Sequence, residues 1–482
     1  MTTSELGPRY EADPSMSRAE RVLADARSIL KERRGFSNTA HLECLYGHKL
    51  PTGILQKCPE CPDDVFPASR LSVKYDFPEK LNPNELKARW EFRKLSQNPT
   101  DTSGVWRFRE LSPFCDDAEK VVTLGEGNTR LLDAPTCAMY VGYDKEHCDN
   151  LKFKHQGDNP TRSFKDPGMT AGITYANMLD MVGIIVASTG NTSASAAAYA
   201  RKAGMTPFVL VPKGEVSKAK LAQVLDYGAH VALVNGDFDK SMALVEEVAP
   251  KLGIMVVNSS NPFRMEGQKT IAPELLEQLN WEIPDVIVVP GGNLGNVSSL
   301  YKGLRELKEL GFIDKLPRLV VVQVEGANPL FKAFAEKHPD ELIPVKADTL
   351  LTAVRIGNPV RFKYAVEAIE ETGGCVVEVS EQEAAWGKEE IGIAGIGCEP
   401  ASALTLAGTK KLLEQGKITQ EEKAVLVLTG DVLKDPNYSA NFHAGELSFH
   451  DQLILPKREN KLTEISNEYE MKRWISTCTK NT

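Results

Sequence analysis

The sequence predicts an α/β protein: two open, doubly wound α/β layers behind an N-terminal extension. Three observations carry that prediction. From about Lys152 onward, short apolar runs alternate with helical stretches such as SASAAAYARKAG, SKAKLAQVLDYG and GNVSSLYKGLRELKELG. Continuous apolar strands interleaved with helices mark parallel sheets covered on both faces. The runs are GIIVAS, TPFVLVP, HVALVNG, IMVVNS, DVIVVPG, RLVVVQVEG, CVVEVS and KAVLVLTG, enough units for two layers instead of one. Many of the helical stretches end at Gly, as helix C-termini often do.

Taken in order, the chain opens with SRAERVLADARSILKERR (residues 17–34), a charged amphipathic helix with a Ser cap. A short, turn-rich, cysteine-bearing stretch follows. NPNELKARWEFRKLS then reads as a helix opened at an Asn-Pro boundary. The expected division is an extension over residues 1–120 with a zinc-ribbon-like segment at 40–66, and a two-layer core over 121–436. The smaller layer, roughly 165–265, is inserted in the larger, and a polar tail spans 437–482 with a helix in NKLTEISNEYEMKRW.

The 482 residues are 42% hydrophobic and 26% charged, as in ordinary globular proteins, and length alone favours more than one domain. A net charge of −9 argues against a nucleic-acid partner, because a polyanion demands a basic surface. No apolar run is long enough to cross a bilayer, and MTTSELGPRYEADPS does not read as a signal peptide. Nine scattered cysteines fit a reducing, cytoplasmic compartment better than a disulfide framework. Only Cys44, Cys58 and Cys61 are grouped. Cys58-Pro-Glu-Cys61 is half of a zinc knuckle; in the other half Gly47 stands where a second Cys belongs, with His48 as substitute. The segment reads either as a closed structural zinc site or as a decayed ribbon with free thiols.

Four loops sit where strands run into helices, the edge at which open α/β folds bind ligands. HQGDNPTRSFKDPGMT brings Lys165 to a helix start, where the macrodipole gives a cation no advantage. ASTGNTSAS clusters hydroxyl and amide groups at a helix N-terminus suited to a carboxylate or phosphate. VVPGGNLGN is neither a dinucleotide fingerprint nor a P-loop, yet it has the physics of a phosphate cradle. LTGDVLKD places Thr429 at a strand end. A lysine, a phosphate cradle and a hydroxyl/amide loop together specify a phosphorylated aldehyde held as a Schiff base, which is pyridoxal 5'-phosphate.

NPTRSFKDPGMT, ASTGNTSASAAAYA, NSSNPFRMEGQKT, VVPGGNLGN, VRIGNPV, EPASALTLAG and LTGDVLKDP resemble, in the same order, the blocks of the threonine synthases. These are lyases of the fold type II, tryptophan-synthase-β-like group of pyridoxal-phosphate enzymes. The resemblance covers about residues 125–435 and looks closest to the long, plant-like branch. It implies that Lys165 carries the cofactor as an imine and shuttles protons, and that Asn191 contacts the cofactor's 3′-oxygen. Gly291, Gly292, Asn293, Leu294, Gly295 and Asn296 match the loop that holds its phosphate. Thr429 matches the neutral group facing the pyridine nitrogen. Ser188 and Thr192 match residues for the substrate α-carboxylate, and Ser259 and Arg264 match those for the substrate's own phosphate. The implied reaction turns O-phosphohomoserine and water into threonine and phosphate. The expected partners are that small molecule and a second copy of the chain, as a homodimer.

Three positions depart from the pattern. Arg162 stands where Gly is common, Pro167 where Arg or Leu is common, and Asp431-Val432 replaces His-Gly. A carboxylate near the ring leaves open a related β- or γ-replacement or elimination on another phosphorylated amino acid, of the cysteate-synthase or dehydratase kind. A non-catalytic regulatory relative is the other alternative. The long branch is activated by S-adenosylmethionine, but no residue-level match to that ligand site is found.

Overall fold

A computed structural model describes residues 40–53, 57–61, 70–77, 81–115, 117–188, 190–213, 218–234, 252–458 and 465–478, with Val245 and Ala249. The helix expected over residues 17–34 lies outside them. The tail helix runs over Glu468–Cys478, later than its sequence suggested.

In chain order the strands are β1 (Ala40–Cys44), β2 (Lys49–Pro51), β3 (Leu71–Tyr75), β4 (Leu131–Asp133), β5 (Leu151–His155), β6 (Gly183–Ala187), β7 (Thr206–Pro212), β8 (His230–Val234), β9 (Met255–Val256), β10 (Val286–Pro290), β11 (Arg318–Val324), β12 (Cys375–Val379) and β13 (Ala424–Leu428). A six-stranded sheet has the order β12-β11-β10-β13-β5-β4, parallel except for β4. A second, wholly parallel sheet has the order β8-β7-β6-β9. The two α/β layers are therefore present. The central apolar runs became strands because both faces of the sheet are covered there, and every residue of β6, β10 and β13 is buried; β8, at the edge of the second sheet, is half-exposed.

Two strands of the larger sheet carried no legible signal. β5 reads LKFKH, and its lysines hide the pattern. Lys154 is fully buried, with its amine 2.5 Å from Glu274 and 2.7 Å from the Thr129 carbonyl, so the charge is matched inside the protein. β4 is a three-residue antiparallel edge strand.

The extension joins the core in two ways. Helix Pro83–Arg93 starts at Asn82, whose side chain accepts from the amides of Asn84 and Glu85. It buries Trp90, which stacks on Phe312 at 5.1 Å and meets Phe108 edge-on at 5.0 Å. The antiparallel sheet β2-β1-β3 packs Leu42, Leu71 and Val73 into a core that also holds Tyr175 and Phe263, two rings stacked 3.4 Å apart.

Helix Lys165–Met178 packs closely on helix Pro262–Gln268. A Cβ on Gly267 would fall on the carbonyl oxygen of Pro167, so only glycine fits this crossing. Gly267→Ala is expected to destabilise the protein by about 2–3 kcal/mol through overpacking, measured by urea denaturation. A change within a few tenths of a kcal/mol would show that the helices separate freely.

Candidate active site

The strand order builds the site. The chain runs out along β10, β11 and β12, then returns to insert β13 between β10 and β5. The loops leaving β5, β10 and β13 thereby emerge side by side at the carboxyl edge, the position of a topological switch point. The loop after β6 faces them from the second sheet. Between the layers lies a cleft of about 1130 Å³. Every site residue named from the sequence lines it except Gly291, which lies beneath the loop; a Cβ there would come within 2.6 Å of Val321.

Lys165 opens its helix and lines the cleft, half-buried. Its amine lies 3.7 Å over the Phe164 ring. Burial lowers its pKa from 10.5 to about 7; repulsion from Arg264 adds to this and Glu399 offsets part of it. The loop is tied to the one after β13, since the Phe164 amide donates to the Thr429 carbonyl at 2.9 Å and Ser163 bridges Gly430. Asp166 is buried among Thr161 and Ser195, and burial pushes its carboxyl up to about 6.

The loop after β10 leads into helix Gly295–Glu309. Leu294, buried at its start, takes a left-handed φ of 62°, a strained conformation held by its surroundings. Asn296 is only 4% exposed, and neither of its side-chain amide atoms has a hydrogen-bond partner. A buried amide left unpaired is costly unless a ligand satisfies it. With the first-turn N–H groups of the helix, it fits the phosphate of pyridoxal phosphate.

Asn191 opens helix Asn191–Lys202, and Ser188 and Thr192 flank it. The Asn191 amide donates to Glu399 Oε2 at 2.7 Å, and the Thr429 hydroxyl donates to Glu399 Oε1 at 2.7 Å. Ser402 and Thr429 are hydrogen-bonded hydroxyls 2.9 Å apart. Glu399 therefore joins two candidate cofactor residues, a role the sequence reading missed although it quoted the EPASALTLAG block.

Ser259 and Arg264 line the same cleft, and Arg264 is close enough to Lys165 to repel its charge. Arg264 is fully buried; its Nη1 donates to the Val257 carbonyl at 3.1 Å and its Nε has no partner. Burial and repulsion from Arg361 lower it to about 10. Arg361, also buried and also missed, donates to the Ser259 carbonyl at 3.4 Å. It directly follows the quoted VRIGNPV block, which was the available clue.

The departures from the family pattern have local explanations. Arg162 is exposed and adopts φ 71°, which glycine takes without strain. Arg162→Gly is expected to stabilise the protein by about 0.5–1 kcal/mol, read from thermal unfolding; a lowered Tm would contradict it. Pro167 sits in the first helical turn, where its missing N–H is not needed. The Asp431 carboxylate accepts the Leu433 amide at 2.9 Å, and Asp431 is not among the residues that line the cleft. Lys434 lines it instead, donating to Gln223 at 2.7 Å.

In the extension, Cys44, His48, Cys58 and Cys61 place their ligand atoms within 4.8 Å of one another. His48 Nδ1 lies 3.4 Å from Cys58 Sγ and 3.5 Å from Cys61 Sγ, and the Cys61 and Cys44 sulfurs are 3.7 Å apart. A tetrahedral zinc with bonds of ~2.3 Å to sulfur and ~2.0 Å to nitrogen has edges of about 3.5–3.8 Å.

Comparison with known proteins agrees with the geometry. A family model described as pyridoxal-phosphate dependent enzyme matches residues 122–430. The chain is 45% identical over 323 residues to a threonine synthase of Methanocaldococcus jannaschii, spanning 67% of this chain and 78% of that one. To the threonine synthase of Methanosarcina acetivorans it is 40% identical over 402 residues, 82% and 92% of the two chains. Threonine synthase 2, chloroplastic, of Arabidopsis thaliana is 37% identical over 334 residues, 68% of this chain and 64% of that one, so identity is higher to the two archaeal proteins. Among solved structures, a threonine deaminase isoform 2 of Solanum lycopersicum superposes with a TM-score of 0.53 at 19% identity, covering 73% of this chain and 91% of that one. A fungal L-serine ammonia-lyase from Rhizomucor miehei superposes with a TM-score of 0.55 at 22% identity, covering 63% and 94%. These two share the fold. The chain belongs to the pyridoxal-phosphate-dependent enzymes and, among them, to the threonine synthases.

Proposed function

We propose that the cleft converts O-phosphohomoserine and water to threonine and phosphate. The observation that carries this reading is the presence in one cleft with Lys165 of two sets of buried polar groups without protein partners: the Asn296 amide of the cradle, and the guanidinium Nε of Arg264, on the segment that also carries Ser259. One suits the phosphate of the cofactor, the other a phosphate on the substrate. When bound, pyridoxal phosphate supplies an aldehyde for an imine and a ring that takes up electron density.

The chain's residues do the rest. Residues 291–296 would hold the cofactor phosphate, Asn191 would serve its 3′-oxygen and Thr429 its ring nitrogen; Glu399 accepts from both side chains and fixes their positions. Ser188 and Thr192, at a helix N-terminus, receive the substrate α-carboxylate. Arg264, with Ser259, grips the substrate phosphate and holds the γ-carbon toward the lysine. Lys165, with an amine lowered to about 7, moves protons at the α-, β- and γ-carbons as phosphate departs and water adds at the β-carbon.

Cys44, His48, Cys58 and Cys61 are read as a structural zinc site, tested by the metal content of purified protein. A homodimer in the cytoplasm completes the reading; nine cysteines scattered along the sequence fit a reducing compartment better than a disulfide framework. The deciding experiment is incubation with O-phosphohomoserine while threonine and free phosphate are measured. Release of neither overturns the proposal, and release from O-phosphoserine instead transfers the activity to another phosphorylated amino acid.

A further inference from the structure

We propose that Arg70 is a third guanidinium of the substrate-phosphate site, and that a metal ion on Cys44, His48, Cys58 and Cys61 holds it in the cleft. This rests on the reading of the cleft as a site for a phosphorylated amino acid.

Arg70 belongs to the extension, yet it lines the catalytic cleft and is only 7% exposed. Its backbone lies between the two halves of the Cys/His cluster. Leu71 pairs with Cys44 across β1 and β3, and Arg70 itself bridges Lys57, the residue before Cys58. On the opposite side the strand is docked on the core. Tyr364 Oη donates to the Arg70 carbonyl at 3.0 Å, and Arg361 Nη1 donates to the Leu71 carbonyl at 3.0 Å. Arg361 also donates to the Ser259 carbonyl at 3.4 Å. One connected path thus runs from the cluster through Arg70 and Arg361 to Ser259.

The charges point to what the site binds. Arg264 and Arg361 are fully buried, and each has a guanidinium nitrogen without a partner: Nε of Arg264 and Nη2 of Arg361. Among the described residues no carboxylate is hydrogen-bonded to either. Burial depresses both, Arg361 adds repulsion to Arg264, and Arg70 adds repulsion to Arg361, while Tyr364 and Glu266 draw Arg361 the other way. Burying Arg264 and Arg361 near each other this way is unfavourable until an anion joins them. A phosphate monoester carries close to two negative charges and accepts several charge-assisted hydrogen bonds, so it matches better than a carboxylate.

The metal matters because the module is small. Strands β1, β2 and β3 have five, three and five residues, so few ladder hydrogen bonds hold the segment that carries Arg70. A closed tetrahedral site supplies the staple that such a module lacks. Without it the segment 57–61, which bridges Arg70 through Lys57, loses its tether, and Arg70 is held from the core side alone.

The test uses native holoenzyme and Arg70→Gln, each as purified, after dialysis against a chelator, and after reloading with zinc. Affinity for inorganic phosphate is read by calorimetry, and KM and kcat with O-phosphohomoserine. In Arg70→Gln the phosphate Kd and the KM are expected to rise about tenfold while kcat changes less than about twofold. Chelation of the native protein should reproduce the tenfold loss of phosphate affinity, zinc should reverse it, and chelation of Arg70→Gln should add nothing. Arg70→Lys should recover part of the affinity. An unchanged phosphate Kd in Arg70→Gln removes Arg70 from the site. A native protein that carries no metal, or chelation that weakens both proteins equally, overturns the coupling. The phosphate arm needs no turnover, so its failure is distinct from a failure of the threonine-forming reaction.

Discussion

Lys165→Ala lowers kcat by about 10³-fold or more, the scale of a lost general acid–base, and abolishes the borohydride-reducible bond between protein and cofactor. The substitution removes the amine that opens helix Lys165–Met178 in the cleft, held 3.7 Å over Phe164 and lowered to about 7. Its phosphate cradle is untouched, so the variant still takes up cofactor without the covalent link. Mass spectrometry of reduced native protein should place the added mass on Lys165, and turnover by the alanine variant at a native rate would refute the assignment. The same amine leaves a signature in the cofactor-free protein. Between about 7 and 10.5 the unfolded chain holds a proton at this lysine that the folded chain does not. Stability from this group therefore rises with pH across that window, and below about 7 both states are protonated and the slope vanishes. Lys165→Met should flatten the rise between pH 7 and 9 in urea denaturation; an unchanged slope would assign it to other groups.

Arg264→Met separates function from stability. Loss of a buried charged partner of the substrate phosphate should cost about 3 kcal/mol of transition-state binding, roughly 10²-fold in kcat/KM. The substrate-free protein should become more stable, by about 1–2 kcal/mol, because a buried, poorly partnered cation is replaced by an apolar chain of similar length. The bond to the Val257 carbonyl is lost as well, and it offsets only part of that gain. Steady-state kinetics and urea denaturation on one preparation check both halves. A variant both slow and unstable would mean that Arg264 is a packing residue.

Much of the site was legible because its residues sit in contiguous blocks. The cradle loop, the ASTGNTSAS loop and the Lys165 loop each carry their chemistry within a few neighbours, and a helix N-terminus can be located from a strand signal and small polar residues. Glu399, Arg361 and Arg70 escaped because their meaning depends on contacts across the chain. Glu399 matters through Asn191 and Thr429, which are 208 and 30 positions away. Arg70 reaches the cleft only because β3 pairs with β1 in a module that docks on Tyr364 and Arg361. Asp431, next to Thr429 and Gly430 in sequence, caps the turn that follows by accepting the Leu433 amide, a local contact that the sequence alone does not fix.

The sequence by itself determined the layers, the strands with unbroken apolar runs, the loops at their ends and the lysine, because burial on two faces and turn chemistry are written locally. Only the tertiary structure decided that β13 inserts between β10 and β5, which brings Lys165, Gly292 and Thr429 to one edge. It also decided that charged strand β5 is buried, that Arg162 holds a glycine-like φ, and that the Cys/His cluster stands behind a cleft arginine. These are outcomes of pairing between distant segments, and a pairing energy belongs to both partners together.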